Sequence, residues 1–203
     1  RADAGAHFGW NDRPVILAVG GIEPRKGSRL LLESFARARG RLGDAPLLAI
    51  AGGETLFDYE DYRDAWWDDA SRLGVNVHSV RDAPVPNDAD VVILGTIADD
   101  DMPVLYRAAD ALAFPSTREG FGLVVLEALA SPIPTVVTDL PVLREYLTDG
   151  VDCVMVPAGD SAPLANALVN VVRDEGLRER LCRGGQKTVE QFTWAACAAE
   201  HER

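Results

Sequence analysis

The chain has 203 residues, of which 20 are basic and 32 acidic, giving a formal net charge of −12 at pH 7. This excess of negative charge excludes a general nucleic-acid binder, and an anionic ligand must be met by local positive groups rather than by the overall field. Apolar residues make up 47% of the sequence, a normal globular value, and no run approaches the roughly 18 apolar residues that span a bilayer.

The start of the chain and its cysteines indicate where the protein works. Residues 1–13 are predicted to be the remnant of a linker, so that the chain would start in mid-protein. No charged and then apolar leader opens the sequence, and Cys153, Cys182 and Cys197 form no Cys-x-x-Cys motif. These features favour a cytoplasmic protein with reduced thiols.

Short apolar runs alternate with segments of helical spacing along the chain. The six main predicted strands are at residues 15–20, 47–51, 91–94, 111–114, 135–138 and 153–156, and residues 75–80 are a further short candidate. The predicted helices are at residues 28–42, 59–73, 99–109, 120–130 and 141–147, and from residue 160 onward with breaks near Gly176 and at Gly184-Gly185. The strands are apolar throughout, which is typical of a parallel sheet buried on both faces. The sequence therefore predicts an α/β fold, a Rossmann-like three-layer sandwich with a mostly parallel six-stranded sheet.

The first candidate ligand loop, residues 20–27, follows the first strand. Gly20 would let the backbone approach a phosphate, Lys26 can meet a diphosphate as a point charge, and Arg25 could fork onto it. The glycine spacing fits neither the dinucleotide-binding fingerprint nor a P-loop, which argues against a dinucleotide oxidoreductase. By itself the loop is equally consistent with a basic turn that caps a helix.

The second candidate loop, residues 118–130, leads from a predicted strand into a predicted helix. Glu119 and Glu127 are eight residues apart, which on a helix is a rise of roughly 12 Å, about the reach from a sugar across a diphosphate to a ribose. The glycines between them allow close backbone approach to phosphate, and free N–H groups at a helix start can donate to it. Glu127 is expected to be embedded among apolar neighbours, where an unpaired carboxylate would be costly.

Both loops follow the carboxyl ends of predicted parallel strands, and there the sequence resembles the retaining glycosyltransferases of the two-Rossmann (GT-B) architecture, family four. The resemblance covers roughly residues 14–195. The motifs that carry it are at residues 19–27, 94–97, 105–110, 114–129, 134–139 and 144–145.

The resemblance implies a nucleoside diphosphate sugar as the donor substrate and a role for each matching residue. Glu119 would contact the sugar hydroxyls and Glu127 the ribose hydroxyls. Lys26 would bind the diphosphate together with the N–H groups at the helix start, and Thr96 and Ile97 would lie near the base. The residues predicted to bind the donor are Gly20, Gly21, Arg25, Lys26, Thr96, Ile97, Glu119, Gly120, Phe121, Gly122, Leu123 and Glu127, of which Lys26 and Glu119 are also the predicted catalytic pair.

The sequence departs from the family pattern at two places. Gly21 stands where many members carry an arginine that also binds phosphate, which leaves Lys26 and Arg25 to supply the positive charge. Ser131-Pro132 replaces the usual Cys-Gly or Ala-Gly after the helix, which affects the local turn rather than the site.

Members of the family have a further, N-terminal Rossmann domain that holds the acceptor. The resemblance therefore implies that residues 14–192 are the donor-binding domain alone. Residues 193–203 would form a helix that packs toward the missing domain, which would also carry any peripheral membrane contact. No metal, other cofactor or nucleic acid is expected. The alternatives are a nucleotide-sugar epimerase of the same architecture and a non-catalytic nucleotide-binding module.

Other motifs have simpler interpretations. Asp88-Ala89-Asp90 is similar to the Asp-x-Asp metal motif of the other glycosyltransferase architecture, but a solvated turn is the better interpretation. Residues 99–101, three aspartates, are expected to cap a helix. The histidines show no metal-ligand spacing. The aromatic segment 57–67 is expected either to pack on the sheet or to contact the missing domain or the acceptor.

Overall fold

The computed structural model describes residues 2–10, 12–52, 59–79 and 85–193. These residues form a parallel sheet of seven strands in the order β3-β4-β2-β1-β5-β6-β7. The strands are β1 (Val15–Val19), β2 (Leu47–Ala51), β3 (Val77–Ser79), β4 (Val91–Gly95), β5 (Ala111–Phe114), β6 (Thr135–Thr138) and β7 (Val154–Val156). The predicted three-layer α/β fold is confirmed, but the prediction of six strands was wrong. The seventh strand, β3, lies within the candidate run 75–80, where it pairs with β4 at the edge of the sheet.

Helices cover both faces of the sheet. They are α1 (Ala2–His7), α2 (Ser28–Leu42), α3 (Glu60–Arg72), α4 (Met102–Ala108), α5 (Leu123–Ala130), α6 (Pro141–Arg144), α7 (Ser161–Arg173) and α8 (Glu175–Val189). Successive residues of β1 enter different apolar layers, since Leu17 packs with α4 and α5 while Ile16 packs with α2 and α7. This explains why the strands are apolar throughout.

Two predicted helices begin later than expected. The first turn of α4 starts at Met102 rather than at residue 99, and Asp101 is its N-cap residue without a side-chain capping bond. Helix α5 begins at Leu123 rather than at residue 120, after a glycine turn in which Gly122 has φ 89°. Glu119 therefore lies outside the helix, and the rise of roughly 12 Å estimated from a continuous helix does not apply. Helix α6 is also shorter than predicted, since it ends at Arg144.

The glycine pair Gly184-Gly185 does not break the C-terminal helix, contrary to the prediction. Helix α8 runs through both residues. A Cβ on Gly184 would lie 2.0 Å from the carbonyl oxygen of Val151, and one on Gly185 would lie 2.6 Å from Cδ2 of Leu129. The glycines therefore allow close packing of the helix. The break between α7 and α8 lies at Asp174, whose side chain accepts a hydrogen bond from Leu177 N and caps α8.

The two ends of the chain differ in what the structure describes. Within the predicted linker 1–13, residues 2–7 form helix α1, which packs beside α4, and Trp10 is completely buried. The predicted helix 193–203 lies outside the described residues from 194 onward, as do Phe57, Cys197 and His201. In the described part of the chain, no helix is both long and apolar enough to cross a membrane.

Candidate functional site

The order of the strands creates a crevice between β1 and β5. These strands are neighbours, but the chain leaves β1 toward β2 and leaves β5 toward β6, on opposite sides. Such a reversal opens a gap at the carboxyl ends of the two strands, where α/β sheets bind ligands. Both predicted ligand loops lie at this position.

Direct contacts hold the two loops together. The backbone N–H of Thr117 donates to the carbonyl oxygen of Arg25 at 2.8 Å. Gly27 has φ 64°, and a Cβ at this position would lie 2.2 Å from the carbonyl oxygen of Pro115. Only glycine fits both the conformation and the space. Two segments about 90 residues apart in the sequence thus form one wall.

The centre of the site is an ion pair between the loops. Lys26 Nζ lies 3.1 Å from Glu119 Oε2, and these side chains are only 16% and 13% exposed. Arg25 lies 3.4 Å from the same carboxylate oxygen and 3.1 Å from Glu23. Lys26 Nζ also lies over the ring of Phe114, 5.1 Å from its centroid. The predicted diphosphate-binding amine and the predicted sugar-binding carboxylate are therefore partners of one another here.

Gly20 makes room for Lys26, and neither Gly20 nor Gly21 is part of the wall of the larger cavity as the described residues form it. Gly20 has φ 137°, and a Cβ there would lie 3.1 Å from Cγ of Lys26. Gly21 lines a separate cavity of about 20 Å³ together with Lys26 and Ser116. Gly20 thus accommodates the stem of the lysine, which carries its amine to Glu119.

A cavity of about 240 Å³ opens above the ion pair. Its walls include Arg25, Lys26, Phe114, Glu119, Phe121, Gly122, Leu123 and Val124. Helix α5 begins at this wall with no side-chain cap. Among the residues that the structure describes, no acceptor is placed on the N–H groups of Phe121, Gly122 or Leu123. The cavity therefore combines two positive side chains with free backbone donors, which suits an anion. The N–H of Gly120 is different, because Glu119 Oε1 accepts it at 3.2 Å.

Glu127 lies one helical turn beyond Leu123, on the same side of α5. Its Oε2 accepts a hydrogen bond of 2.7 Å from the hydroxyl of Tyr106 on α4. The expectation that Glu127 is embedded was wrong, because it is exposed while the flanking Leu126 and Ala128 are buried. A carboxylate held by one oxygen and open to solvent at the other can accept from a further hydroxyl.

Tyr106 is a residue whose role the sequence did not reveal. It lies in the motif 105–110 that supported the resemblance, and it is 2% exposed. Burial, and then the bond to Glu127, raises the pKa of its hydroxyl well above the usual range. The hydroxyl therefore remains a donor at neutral pH. Asp110 in the same motif lies at the amino ends of β1 and β5, away from the crevice. There its carboxylate accepts a hydrogen bond of 2.7 Å from the N–H of Val15.

Thr96 and Ile97 follow β4, so they lie at the carboxyl ends of the strands, as the crevice does. Strand β2 lies between β4 and β1, which borders the crevice. Thr96 is exposed, and Ile97 packs against the apolar layer that contains Leu105. Neither residue is part of the wall of the larger cavity as the described residues form it. Their predicted place beside the base remains a prediction.

The start of α2 is closed by the aromatic segment. The hydroxyl of Tyr62 lies 3.2 Å from the N–H of Arg29 and 3.2 Å from Ser28 Oγ. Trp66 is completely buried, and its ring N–H donates to the carbonyl oxygen of Ser28 at 3.1 Å. Trp67 is 43% exposed. Tyr62 and Trp66 thus pack on the body of this domain.

The acidic motifs serve local structure. Asp90 accepts from the N–H of Asn76 at 2.9 Å and pairs with Arg39 at 3.2 Å, while Asp88 accepts from Asn76 Nδ2 at 3.2 Å. They hold the connections at the edge strand β3. Over residues 2–10, 12–52, 59–79 and 85–193, no three His, Cys, Asp or Glu side chains are grouped so as to hold a metal ion.

Comparison with known protein families gives a match over residues 13–174 to "Glycosyl transferases group 1". The chain belongs to this glycosyl transferase family. It is 34% identical over 179 residues to a phosphatidyl-myo-inositol mannosyltransferase of Mycobacterium leprae, covering 88% of this chain and 42% of that protein. It is 33% identical over 184 residues to a D-inositol 3-phosphate glycosyltransferase of Salinispora tropica, covering 89% of this chain and 35% of the relative. These relatives are named as enzymes, and the chain spans less than half of their length.

Solved structures share the fold. The HepE protein of Anabaena, solved with UDP and glucose, matches with a TM-score of 0.78 at 24% identity, over 94% of this chain and 47% of that one. A sucrose-phosphate synthase of Thermosynechococcus elongatus matches with a TM-score of 0.81 at 25% identity, over 100% of this chain and 47% of the other. The C-terminal domain of a group 1 glycosyl transferase from Francisella tularensis is matched over 91% of its length, with a TM-score of 0.75 at 24% identity.

Proposed function

We propose that residues 14–192 are the donor-binding domain of a retaining glycosyltransferase of GT-B family four, which transfers a hexosyl group from a nucleoside diphosphate sugar. The observation that carries the proposal is the convergence of Lys26 and Glu119, from separate loops, on the cavity at the start of α5. Glu127 lies one turn further along the helix. The names of the relatives and the UDP and glucose bound to the Anabaena protein support it.

The chemistry follows from where negative charge grows. As the bond between the sugar and the diphosphate breaks, charge accumulates on the leaving phosphate. The N–H groups of residues 121–123 are held by the glycine turn before the ligand arrives, so they stabilise this charge with little rearrangement. Lys26 and Arg25 add positive charge once the phosphate takes the place of Glu119. This counter-charge comes from the protein, so the proposal includes no metal or other cofactor.

The ion pair suggests an exchange on binding. In the free domain, Glu119 Oε2 accepts from Lys26 at 3.1 Å. A diphosphate would replace Glu119 as the partner of Lys26, and the released carboxylate would accept from the sugar hydroxyls. Glu127, held by Tyr106, would accept from the ribose hydroxyls. Thr96 and Ile97 would face the base.

The proposal extends to a longer, cytoplasmic protein. A further N-terminal Rossmann domain would supply the acceptor site, the segment 193–203 would pack toward it, and any peripheral membrane contact would belong to it. The isolated 203-residue chain would bind the donor weakly and transfer little or nothing.

A thermal-shift panel on the 203-residue chain tests the proposal. UDP-, GDP- and ADP-sugars are added separately, and at least one should raise the melting temperature, with a rise that grows with the logarithm of ligand concentration above the dissociation constant. The matched control is Lys26→Ala, which should lose the shift while remaining folded. If the wild-type chain shifted with none of these sugars, or if the shift survived in Lys26→Ala, the assignment would be rejected. Product analysis of the longer protein separates transfer from epimerisation, and a non-catalytic module would give neither product.

A further inference from the structure

Tyr146 holds the glycine turn that opens α5. Its hydroxyl donates to the carbonyl oxygen of Phe121 at 2.7 Å. Its ring lies 5.7 Å from the ring of Phe121 and 5.3 Å from that of Phe192, measured between centroids. The tyrosine is therefore fixed both at its hydroxyl and along its ring.

The hydrogen bond fixes the direction of a neighbouring donor. The peptide group between Phe121 and Gly122 is trans and planar, so the carbonyl of Phe121 and the N–H of Gly122 point in opposite directions. Because the carbonyl points to Tyr146, the N–H points away from it. The cavity walls include Phe121 and Gly122 but not Tyr146. The N–H of Gly122 is therefore aimed at the cavity side of the turn.

The packing around Gly122 leaves little freedom for another arrangement. Gly122 has φ 89°, and a Cβ there would lie 2.9 Å from both the hydroxyl of Tyr146 and Cδ2 of Leu143. Rotation of the peptide plane would turn the carbonyl of Phe121 away from the tyrosine and break this hydrogen bond. Burial, followed by the nearby charge of Glu119, raises the pKa of Tyr146 well above the usual range, so the hydroxyl stays protonated.

We propose that Tyr146 is a positioning residue which, through the Phe121 carbonyl, aims the Gly122 N–H at the diphosphate of the bound donor. The inference rests on the proposed function, since it assigns the anion in the cavity to a diphosphate. It adds a residue from the segment after α6 to a site otherwise formed by the loops after β1 and β5.

The test separates the contribution of the diphosphate from that of the rest of the ligand. The affinities of the 203-residue chain for UDP, GDP and ADP are measured by calorimetry. The affinity for the corresponding nucleoside is measured in each case for comparison. Tyr146→Phe keeps the ring and removes only the hydroxyl. The variant should bind the preferred nucleoside diphosphate about 3- to 10-fold more weakly, the usual effect of one hydrogen bond, and the nucleoside unchanged. Tyr62→Phe, which removes a hydroxyl at the start of α2, is the matched control and should change neither affinity.

Each outcome has a distinct meaning. An equal loss for diphosphate and nucleoside would show a merely structural role, and an unchanged diphosphate affinity would show no role; both overturn the inference and leave the proposed function standing. If the wild-type chain gained nothing from the diphosphate in any pair, the proposed function would fail and the inference with it. Should Tyr146→Phe fold poorly, the wild-type Gly122 amide proton can be followed by NMR. It should move downfield with the nucleoside diphosphate but not with the nucleoside, and an unmoved signal would overturn the inference.

Discussion

The starts of α2 and α5 lie at the same edge of the sheet and begin in the same way, yet only one can receive a ligand. Each is preceded by a left-handed glycine, Gly27 with φ 64° and Gly122 with φ 89°, and neither has a side-chain capping bond at its N-cap residue. The hydroxyl of Tyr62 fills the start of α2, whereas the start of α5 opens into the cavity. A helix start alone therefore does not define an anion site. The site also requires that no side chain of the protein already fills the helix start.

The two basic residues near the start of α2 reach different parts of the molecule. Lys26 belongs to the turn before α2, but its amine lies at Glu119, beside the start of α5. The positive charge thus belongs to the loop after β1 but lies at the loop after β5. Arg29, which follows in the sequence, points elsewhere and pairs with Asp69 at 2.7 Å.

The largest expected effect is on stability, and it contrasts the two glycines. Gly27→Ala forces a left-handed alanine and places its Cβ 2.2 Å from a backbone oxygen, so the free energy of unfolding should fall by more than about 2 kcal/mol. Gly122→Ala meets only side-chain ends, at 2.9 Å, and should lose about 1–2 kcal/mol. Urea denaturation measures both. Equal losses would mean that the start of α5 is as enclosed as that of α2.

The next effect contrasts two cations, Lys26 and Arg29. Lys26→Ala should weaken binding of the preferred nucleoside diphosphate by about 10- to 100-fold, because a charge-assisted contact to phosphate contributes about 1.5–3 kcal/mol. Arg29→Ala should change the affinity less than twofold, since its partner is Asp69. Calorimetry at one salt concentration compares them. Similar losses in the two variants would show that general positive charge, rather than the open helix start, attracts the ligand.

Much of the fold could be predicted because the strands are apolar runs bounded by glycine, proline or charged residues. The bounds of β2, β5 and β6 are those predicted. The starts of α4 and α5 were placed too early, because aspartates and glycines before a helix are as compatible with its first turn as with the turn before it. The glycine pair Gly184-Gly185 predicts a break from the sequence alone, because close packing by a helical glycine depends on partners that are distant in sequence, here Val151 and Leu129.

The convergence of the two loops could be predicted from the sequence, but the pairing of their side chains could not. Motif spacing pointed to Lys26, Glu119 and Glu127 as separate ligand contacts. That Lys26 and Glu119 bind each other depends on the gap between β1 and β5, which no local pattern records. Tyr106 and Tyr146 could not be identified from the sequence, because the acceptors of their hydroxyls, Glu127 and the carbonyl of Phe121, lie more than a helix length away along the chain.

A smaller effect is expected at Tyr106, which holds Glu127 at 2.7 Å beyond the open helix start. Tyr106→Phe should weaken binding of the ribonucleoside diphosphate about 3- to 10-fold, because Glu127 loses a fixed orientation. The variant should also bind the ribonucleoside diphosphate with a smaller preference over its 2′-deoxy and 3′-deoxy analogues. Glu127→Gln is the companion variant. If Glu127→Gln removed the preference but Tyr106→Phe kept it, the tyrosine would not position the carboxylate.

The smallest effect concerns alkaline pH and the same tyrosine. Burial, then Glu127, raises the pKa of Tyr106 in the folded protein above the unfolded value of about 10. Above that pH the unfolded chain binds fewer protons than the folded one, so stability is fully present below pH 10 and is lost as pH rises through the folded pKa. One such group contributes at most about 1.4 kcal/mol per pH unit to this decline. Urea denaturation between pH 9 and about pH 11.5 should therefore show a shallower decline for Tyr106→Phe than for the wild type. A decline of equal slope in both proteins would mean that the tyrosine titrates alike in the folded and unfolded chains. Neither its burial nor its bond to Glu127 would then stabilise the protonated hydroxyl.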